Sequence, residues 1–349
     1  MTKQIGAWHQ YSGVIHVHTT ESDGTKTIEE VVAIGQEVGI EFMMFTDHMT
    51  LSNKENGKEG LYGRTLVTVG YEHNDPEDNN HYLLFESPRV YPREMTVGQY
   101  VAAGAADGSF GIIAHPDEIR DRNGRYPPYP WTDWTARGFQ GIELWNQMSE
   151  WMERLSSYNK LVMALSPRKS MVGPTDRILK IWDDFNVHTK CVGVASVDAH
   201  AFPVKLWPTT VEIFPYKVHF RSLRTYILLA EPMSDNFETA KRQLFEALAD
   251  CRVFFANLRW GDPEGFEFYA ANDSERVISG GKLYDLKKAK IHVRIPSRAT
   301  VSLVRNGKTI LRFTGRKLDY PINEPGLYRV ETRKWGRGWI YSNHIRVGV

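Results

Sequence analysis

Over its first 260 residues the chain alternates short apolar, β-branched runs with amphipathic ones, and after that point it stops doing so. Gly13–His18 and Glu41–Asp47 read as strands, separated by a segment with helical spacing. Thr27 opens that segment with Glu30 three residues on, a capping-box spacing, and Gly39 closes it. Ile28, Val31, Val32 and Val38 fall roughly on one face. A strand–helix–strand unit of this length is what a right-handed parallel crossover needs. Further strands are expected at Leu66–Glu72, His81–Glu86, Phe110–His115, Gly138–Trp145, Lys190–Asp198, Thr209–Phe214 and Arg252–Asn257. Helices are expected at Val97–Asp107, Met152–Leu165, Asp176–Phe185 and Glu238–Ala249. The pattern predicts an α/β barrel or a doubly wound sheet.

From about residue 261 the texture is all strand and turn. Phe266–Ala271, Ile291–Ile295, Thr300–Arg305, Thr309–Phe313, Leu318–Ile322, Leu327–Thr332 and Trp339–Val347 read as strands, and Asn306-Gly307 is a strong hairpin signal. We expect a barrel over 1–260 followed by a small antiparallel β-sandwich over 261–349. Trp335, Trp339 and Tyr341 could present a carbohydrate or partner surface, but aromatics spaced this way in a sandwich read first as core.

Composition narrows the class. The 43 Lys+Arg balance 42 Asp+Glu, so no global field draws nucleic acid and an anionic ligand must be held locally. Apolar runs such as Leu161–Leu165 fall far short of the ~20 residues a membrane helix needs. Two cysteines cannot make a disulfide framework, and the start MTKQIGAWHQ lacks an apolar core of the secretory kind. A cytoplasmic location without membrane partners is the expectation.

Six of the 12 histidines lie at or beside expected strand ends: His16, His18, His48, His81, His115 and His200. Asp23, Glu72 and Asp198 accompany them, in the contexts HVHTTESDG, TDH, GYEHN, HYLLF, AHP and SVDAH. In a regular strand His16 and His18 would share a face, where two neutral imidazoles suit a shared metal. Any one of these motifs is weak. Together they are hard to explain as core filling, and in barrels the C-terminal strand ends are where function is built.

These motifs, in this order over residues 13–200, resemble those of the polymerase and histidinol phosphatase (PHP) superfamily of metal-dependent phosphoesterases. Arg252–Asn257 and the ending GLYRVE…GWIYSNHIRV look like a subgroup with an added C-terminal β domain. The resemblance implies a distorted (β/α)7 barrel holding two or three divalent ions. It implies His16, His18, Glu72 and Asp198 around one ion, and Asp23, His48 and His200 around a second. Glu72 would bridge to a third completed by His81 and His115. His73 competes for one of these positions, but strand parity sets it opposite Glu72, so His81 is preferred.

His-rich ligation favours Mn, Fe or Zn over Mg. Three divalent ions would outweigh the three carboxylates and attract a small phosphate-containing anion, a short nucleotide included. The implied reaction is hydrolysis of a phosphate ester by a metal-activated hydroxide. A carboxylic ester, carbamate or amide is the alternative substrate class. Glu143 is expected beside the site or facing substrate, and Arg120, Arg122 and Arg125 offer guanidinium groups in the loop after AHP. Asp47 should point away from His48 and orient a neighbour.

Overall fold

The computed structural model describes residues 3–5, 8–120, 127–156, 158–206 and 209–349. The protein is mixed α/β with one large sheet. Its first strands are β1 (Trp8–Val17), β2 (Phe42–His48), β3 (Thr65–His73), β4 (Tyr82–Phe85), β5 (Phe110–Ile113), β6 (Gly141–Asn146) and β7 (Val192–Ser196). β1, β2 and β3 run parallel, as do β5, β6 and β7. Between these sets β4 is antiparallel to both neighbours. Beyond β7 the chain returns to the first strand. Val197 N donates to Ile15 O (3.1 Å), Ala199 N to His16 O (3.2 Å) and His18 N to Ala199 O (3.1 Å). On its other edge β1 pairs with β8 (Leu223–Leu229), which pairs with β9 (Val253–Asn257).

The helices form where the sequence caps them. α1 (Ile28–Glu37) has the Thr27–Glu30 capping box and buries Ile28, Val31 and Val32 in the core beside Met43 and Phe45. α2 (Val97–Ala106) has a second box, Thr96–Gln99. The expected helix over 152–165 is two: α3 (Gln147–Arg154) ends at the extended Leu155, and a short helix covers Lys160–Leu165. The Asn159 side chain makes the break, bonding Ser156 N and Arg154 O in place of the helical ladder. α4 (Asp176–His188), α5 (Tyr216–Phe220) and α6 (Phe237–Ala249) complete the set. Among the described residues no helix is long and apolar enough to cross a membrane.

The C-terminal strands are β10 (Glu267–Ala271), β11 (Lys290–Arg305), β12 (Lys308–Pro321), β13 (Gly326–Lys334), β14 (Arg337–Ser342) and β15 (Ile345–Val347). Four expected short strands merge into the long β11–β12 hairpin. The break expected near Pro296 is a register shift between Arg294 and Ala299, where a missing N–H is tolerated. The expected aromatic stripe holds in part. Trp339 and Tyr341 are buried, whereas Trp335 is 82% exposed.

The sheet runs on through both regions, because β14 pairs with β9. Two polar contacts brace the join. Asn343 exchanges 2.8 Å hydrogen bonds with the N–H and C=O of Gly193 in β7. A side chain at Gly193 would meet Leu144 and Trp182, with Cβ 2.4 Å from Leu144 Cδ1. Second, Asp183 of α4 accepts from Arg329 Nε (2.7 Å) and Nη2 (2.8 Å), and lies 2.6 Å from His344 Nε2, all buried.

Burial, outweighing the Asp183 bond, holds His344 down at about 4. Burial alone would raise Asp183, but Arg329 and His344 hold it at about 2. Removing one partner of such a buried pair costs about 3–5 kcal/mol, so Asp183→Ala should lower the urea midpoint markedly. The unfolded chain takes up a proton at His344 near pH 6.5 while the folded chain resists until about 4. Stability from this group is therefore present above about pH 6.5 and lost as pH falls toward 4, and His344→Gln should flatten that part of the stability–pH curve.

Candidate metal centre

All nine sequence-derived residues come together at one end of the parallel strands. His48 is the last residue of β2, Glu72 sits near the end of β3, and His81 directly precedes β4. His115 follows β5 by two residues, and Asp198 and His200 follow β7 by two and four. Asp23 lies in the loop after β1. His16 and His18 do not share a face by regular alternation. The β1–β2 register shifts between Ile15 and Val17, and His16 bulges with φ 68°. His115 (φ 25°) and Asp198 (φ 51°) also have positive φ. Such backbone costs about 1–3 kcal/mol per residue and persists where surroundings over-determine it. The bonds between the His16–His18 backbone and Ala199 are part of that restraint.

Glu72 is the centre, 1% exposed. Its Oε1 lies 2.6 Å from His81 Nδ1 and 3.1 Å from His115 Nε2. Its Oε2 lies 3.0 Å from His16 Nε2, 3.3 Å from His18 Nε2 and 3.4 Å from His48 Nδ1. Asp198 Oδ1 is 3.5 Å from both His16 Nε2 and His18 Nε2. Asp23, half-exposed, is 3.2 Å from His200, 3.5 Å from His18 and 3.8 Å from His48. Ligand-competent atoms cluster within 4.8 Å in four overlapping groups. These are His18/Asp23/His48/His200, His16/His18/Glu72, His16/His115/Asp198 and His48/Glu72/His81.

Charge explains how so many polar groups are held together. Burial alone would lower His16, but Glu72, Asp198 and Glu143 raise it well above the usual histidine range. His18 goes the same way, to about 10, through Asp198 and Glu72. Burial opposes ionisation of Glu72 and Asp198, yet the surrounding imidazoles hold both well below the carboxylate range. Burial drives His48 down to about 4. Both ring nitrogens of His18, and Nδ1 of His48, Nε2 of His81 and Nδ1 of His115, are buried without a hydrogen-bond partner. Buried polar atoms are normally paired, so this donor set fits divalent transition ions, for which neutral imidazole and carboxylate are good ligands.

The next residues out hold the centre in place. Glu143, fully buried, lies 2.8 Å from His16 Nδ1 through Oε1. Its Oε2 accepts from His115 N (2.7 Å) and Asn146 Nδ2 (2.9 Å). Asn146 also reaches Asp198 Oδ2 at 3.3 Å. Asn146 escaped sequence reasoning, as did Glu118, whose Oε1 is 3.9 Å from His115 Nδ1; neither belongs to a recognisable spacing. Arg120 is paired with Glu118 and lies over the Tyr129 ring, so its charge is already engaged. Arg122 and Arg125 lie outside the described residues. His73 is buried against Tyr100, ring centroids 4.2 Å apart, and joins none of the four groups.

No protein-family model matches the chain, and no curated protein matches it. Among solved structures it is similar to a two-domain protein from Bacteroides vulgatus containing a predicted PHP-like metal-dependent phosphoesterase. That match has 12% identity, covers 99% of this chain and 97% of the other, and has a TM-score of 0.48. PsfC from Pseudomonas syringae is 12% identical over 66% of this chain and 87% of its own, TM-score 0.41. A candidate metal-dependent phosphoesterase from Bifidobacterium adolescentis is 14% identical over 57% of this chain and 92% of its own, TM-score 0.30. The first match agrees with the resemblance carried by the sequence motifs, a PHP domain with an added domain. At such scores the metal-centre reading rests on side-chain geometry.

Asp47 accepts from Thr19 N (2.7 Å), Thr19 Oγ1 (2.7 Å), Ser22 Oγ (2.8 Å) and Asn53 Nδ2 (3.0 Å), fixing the loop that carries Asp23. Asp47→Ala should release that loop, and amide hydrogen exchange at Thr19–Gly24 should speed up while the β3 amides stay protected.

Proposed function

We propose that the chain is a PHP-type metal-dependent phosphoesterase acting on a small phosphate ester. In this reading residues 1–260 form a distorted (β/α)7 barrel and residues 261–349 a β-sandwich. Support for the barrel is the run β1–β7 with the chain after β7 bonded back to β1. The observation that carries the function is the convergence of six imidazoles and three carboxylates on one point, with buried ring nitrogens left unpartnered.

His16, His18, Glu72 and Asp198 would hold one ion, Asp23, His48 and His200 a second, and Glu72 with His81 and His115 a third. Mn, Fe or Zn held there would supply Lewis acidity toward a phosphoryl oxygen and would acidify water at neutral pH. Glu72 suits a bridging role because its two oxygens face different histidine sets. Glu143 fixes the His16 tautomer. With Nδ1–H donated to that carboxylate, the Nε2 lone pair points at the centre. Asp198 is held by Asn146 and needs no other side chain to aim it. Asp23 and His48, the most exposed members, mark the side from which a substrate approaches.

Protein purified without chelator should carry near-stoichiometric Mn, Fe or Zn by elemental analysis, and trace content would overturn the reading. His16→Ala and Asp198→Ala should each abolish turnover of p-nitrophenyl phosphate or its bis ester. Activity on p-nitrophenyl acetate but on neither phosphate ester would move the assignment to carbon-centred esters. Glu143→Gln should keep the fold and lower metal affinity about 10–100-fold, read by competition with a chromogenic chelator.

A further inference from the structure

A polar cleft of about 820 Å³ lies between α4 and the C-terminal strands, away from the nine clustered residues. One wall is the α4 face carrying Asp176, Leu179, Lys180 and Asp183, at i, i+3, i+4 and i+7. The opposite wall is sheet. Across β12, β11 and β13, Arg312 pairs with Ser302 and Ser302 with Glu331, and in the adjacent row Thr300 pairs with Arg333. Arg329 at the floor is neutralised by Asp183 and Glu331.

Arg312 and Arg333 are not neutralised in this way. Arg312 is exposed, its Nε bonds Ser302 Oγ at 3.3 Å, and among the described residues it forms no ion pair. Arg333 reaches Glu331 only at 4.0 Å, and that carboxylate already binds Arg329 at 2.5 Å. The cleft thus presents two guanidinium groups with charge to spare, beside Ser302 and Thr300 hydroxyls.

The rim carries a second signal. Gly336 lines the cleft, and with Trp335 it forms the two-residue turn between β13 and β14. Both turn residues have positive φ, 49° and 77°, a pattern that calls for Asn-Gly, as at Asn306-Gly307. A tryptophan there is unfavourable for the backbone, and at 82% exposure it gains little from burial. Its ring leans on Trp260, centroids 5.5 Å apart, leaving an indole face open. A costly residue that neither turns the chain well nor fills a core is a contact residue.

We infer that this cleft binds a single-stranded polynucleotide, its phosphates over Arg312 and Arg333 and a base stacked on Trp335. Cationic side chains beside an exposed aromatic plane are what such ligands require. The inference goes beyond the phosphoesterase reading and rests on different residues.

The test is fluorescence anisotropy of a short labelled oligothymidylate with the full-length protein at low salt. Trp335→Asn should weaken binding roughly 10-fold. The same variant should raise the melting temperature, because asparagine suits the turn, so loss of binding cannot be put down to misfolding. Arg312→Ala/Arg333→Ala should weaken binding and lower the salt slope by about 1–2 units. Both variants should turn over p-nitrophenyl phosphate as the wild type does. Asp198→Ala should bind the oligonucleotide normally, which separates failure of this inference from failure of the metal-centre reading. No binding by wild type, or binding indifferent to these variants, overturns the inference. So does an abasic oligomer or a sulfated glycan bound as tightly and with equal dependence on Trp335.

Discussion

The buried Glu72 carboxylate is the constraint around which the first 200 residues are arranged. A charge at 1% exposure is tolerable only if it is surrounded by compensating groups, and five imidazoles within 3.4 Å provide them. Those imidazoles come from four different strand ends, so the strand ends must be placed before the charge can be accommodated. The reversed strand β4 serves this directly. It lets Glu72 and His81, nine residues apart, meet across a tight turn rather than a helical crossover.

The same need explains where the backbone departs from ideal geometry. His16, His115 and Asp198 all lie at positive φ, and all three point into the cluster. Regular strands would carry these side chains past one another. A bulge at His16 and sharp bends after β5 and β7 re-aim them, and the backbone bonds from Ala199 and the Glu143 carboxylate hold the result. Strain at the centre is thus offset by hydrogen bonds around it, a division of labour found where geometry matters more than local comfort.

Much of this was legible in the sequence, and what was not has physical causes. The Thr27–Glu30 box and the apolar spacing after it foretell α1 because capping and periodicity are local. The nine polar residues announce themselves because imidazoles and carboxylates at strand ends have few other uses. The bulge at His16 is silent, since no Gly or Pro marks it; alternation alone puts His16 and His18 on one face for the wrong reason. The supporting Asn146 and Glu118 are silent too, because tertiary contact and not spacing recruits them. Near Pro296 the error ran the other way. A residue read as a strand break sits inside a long bulged strand, where its missing N–H costs nothing.

The Asn343–Gly193 pair bears on how this chain can be divided. Gly193 belongs to β7, three residues before the stretch that folds back over His16, and its peptide groups are satisfied by a side chain 150 residues downstream. Two textures in a sequence suggest two modules that could be exchanged or excised. Here the second supplies bonds that the first cannot replace from within. Cutting at the change of texture would expose the edge of β9 and orphan a buried peptide in β7. The C-terminal strands are a component of the first region's architecture and not an appendage to it.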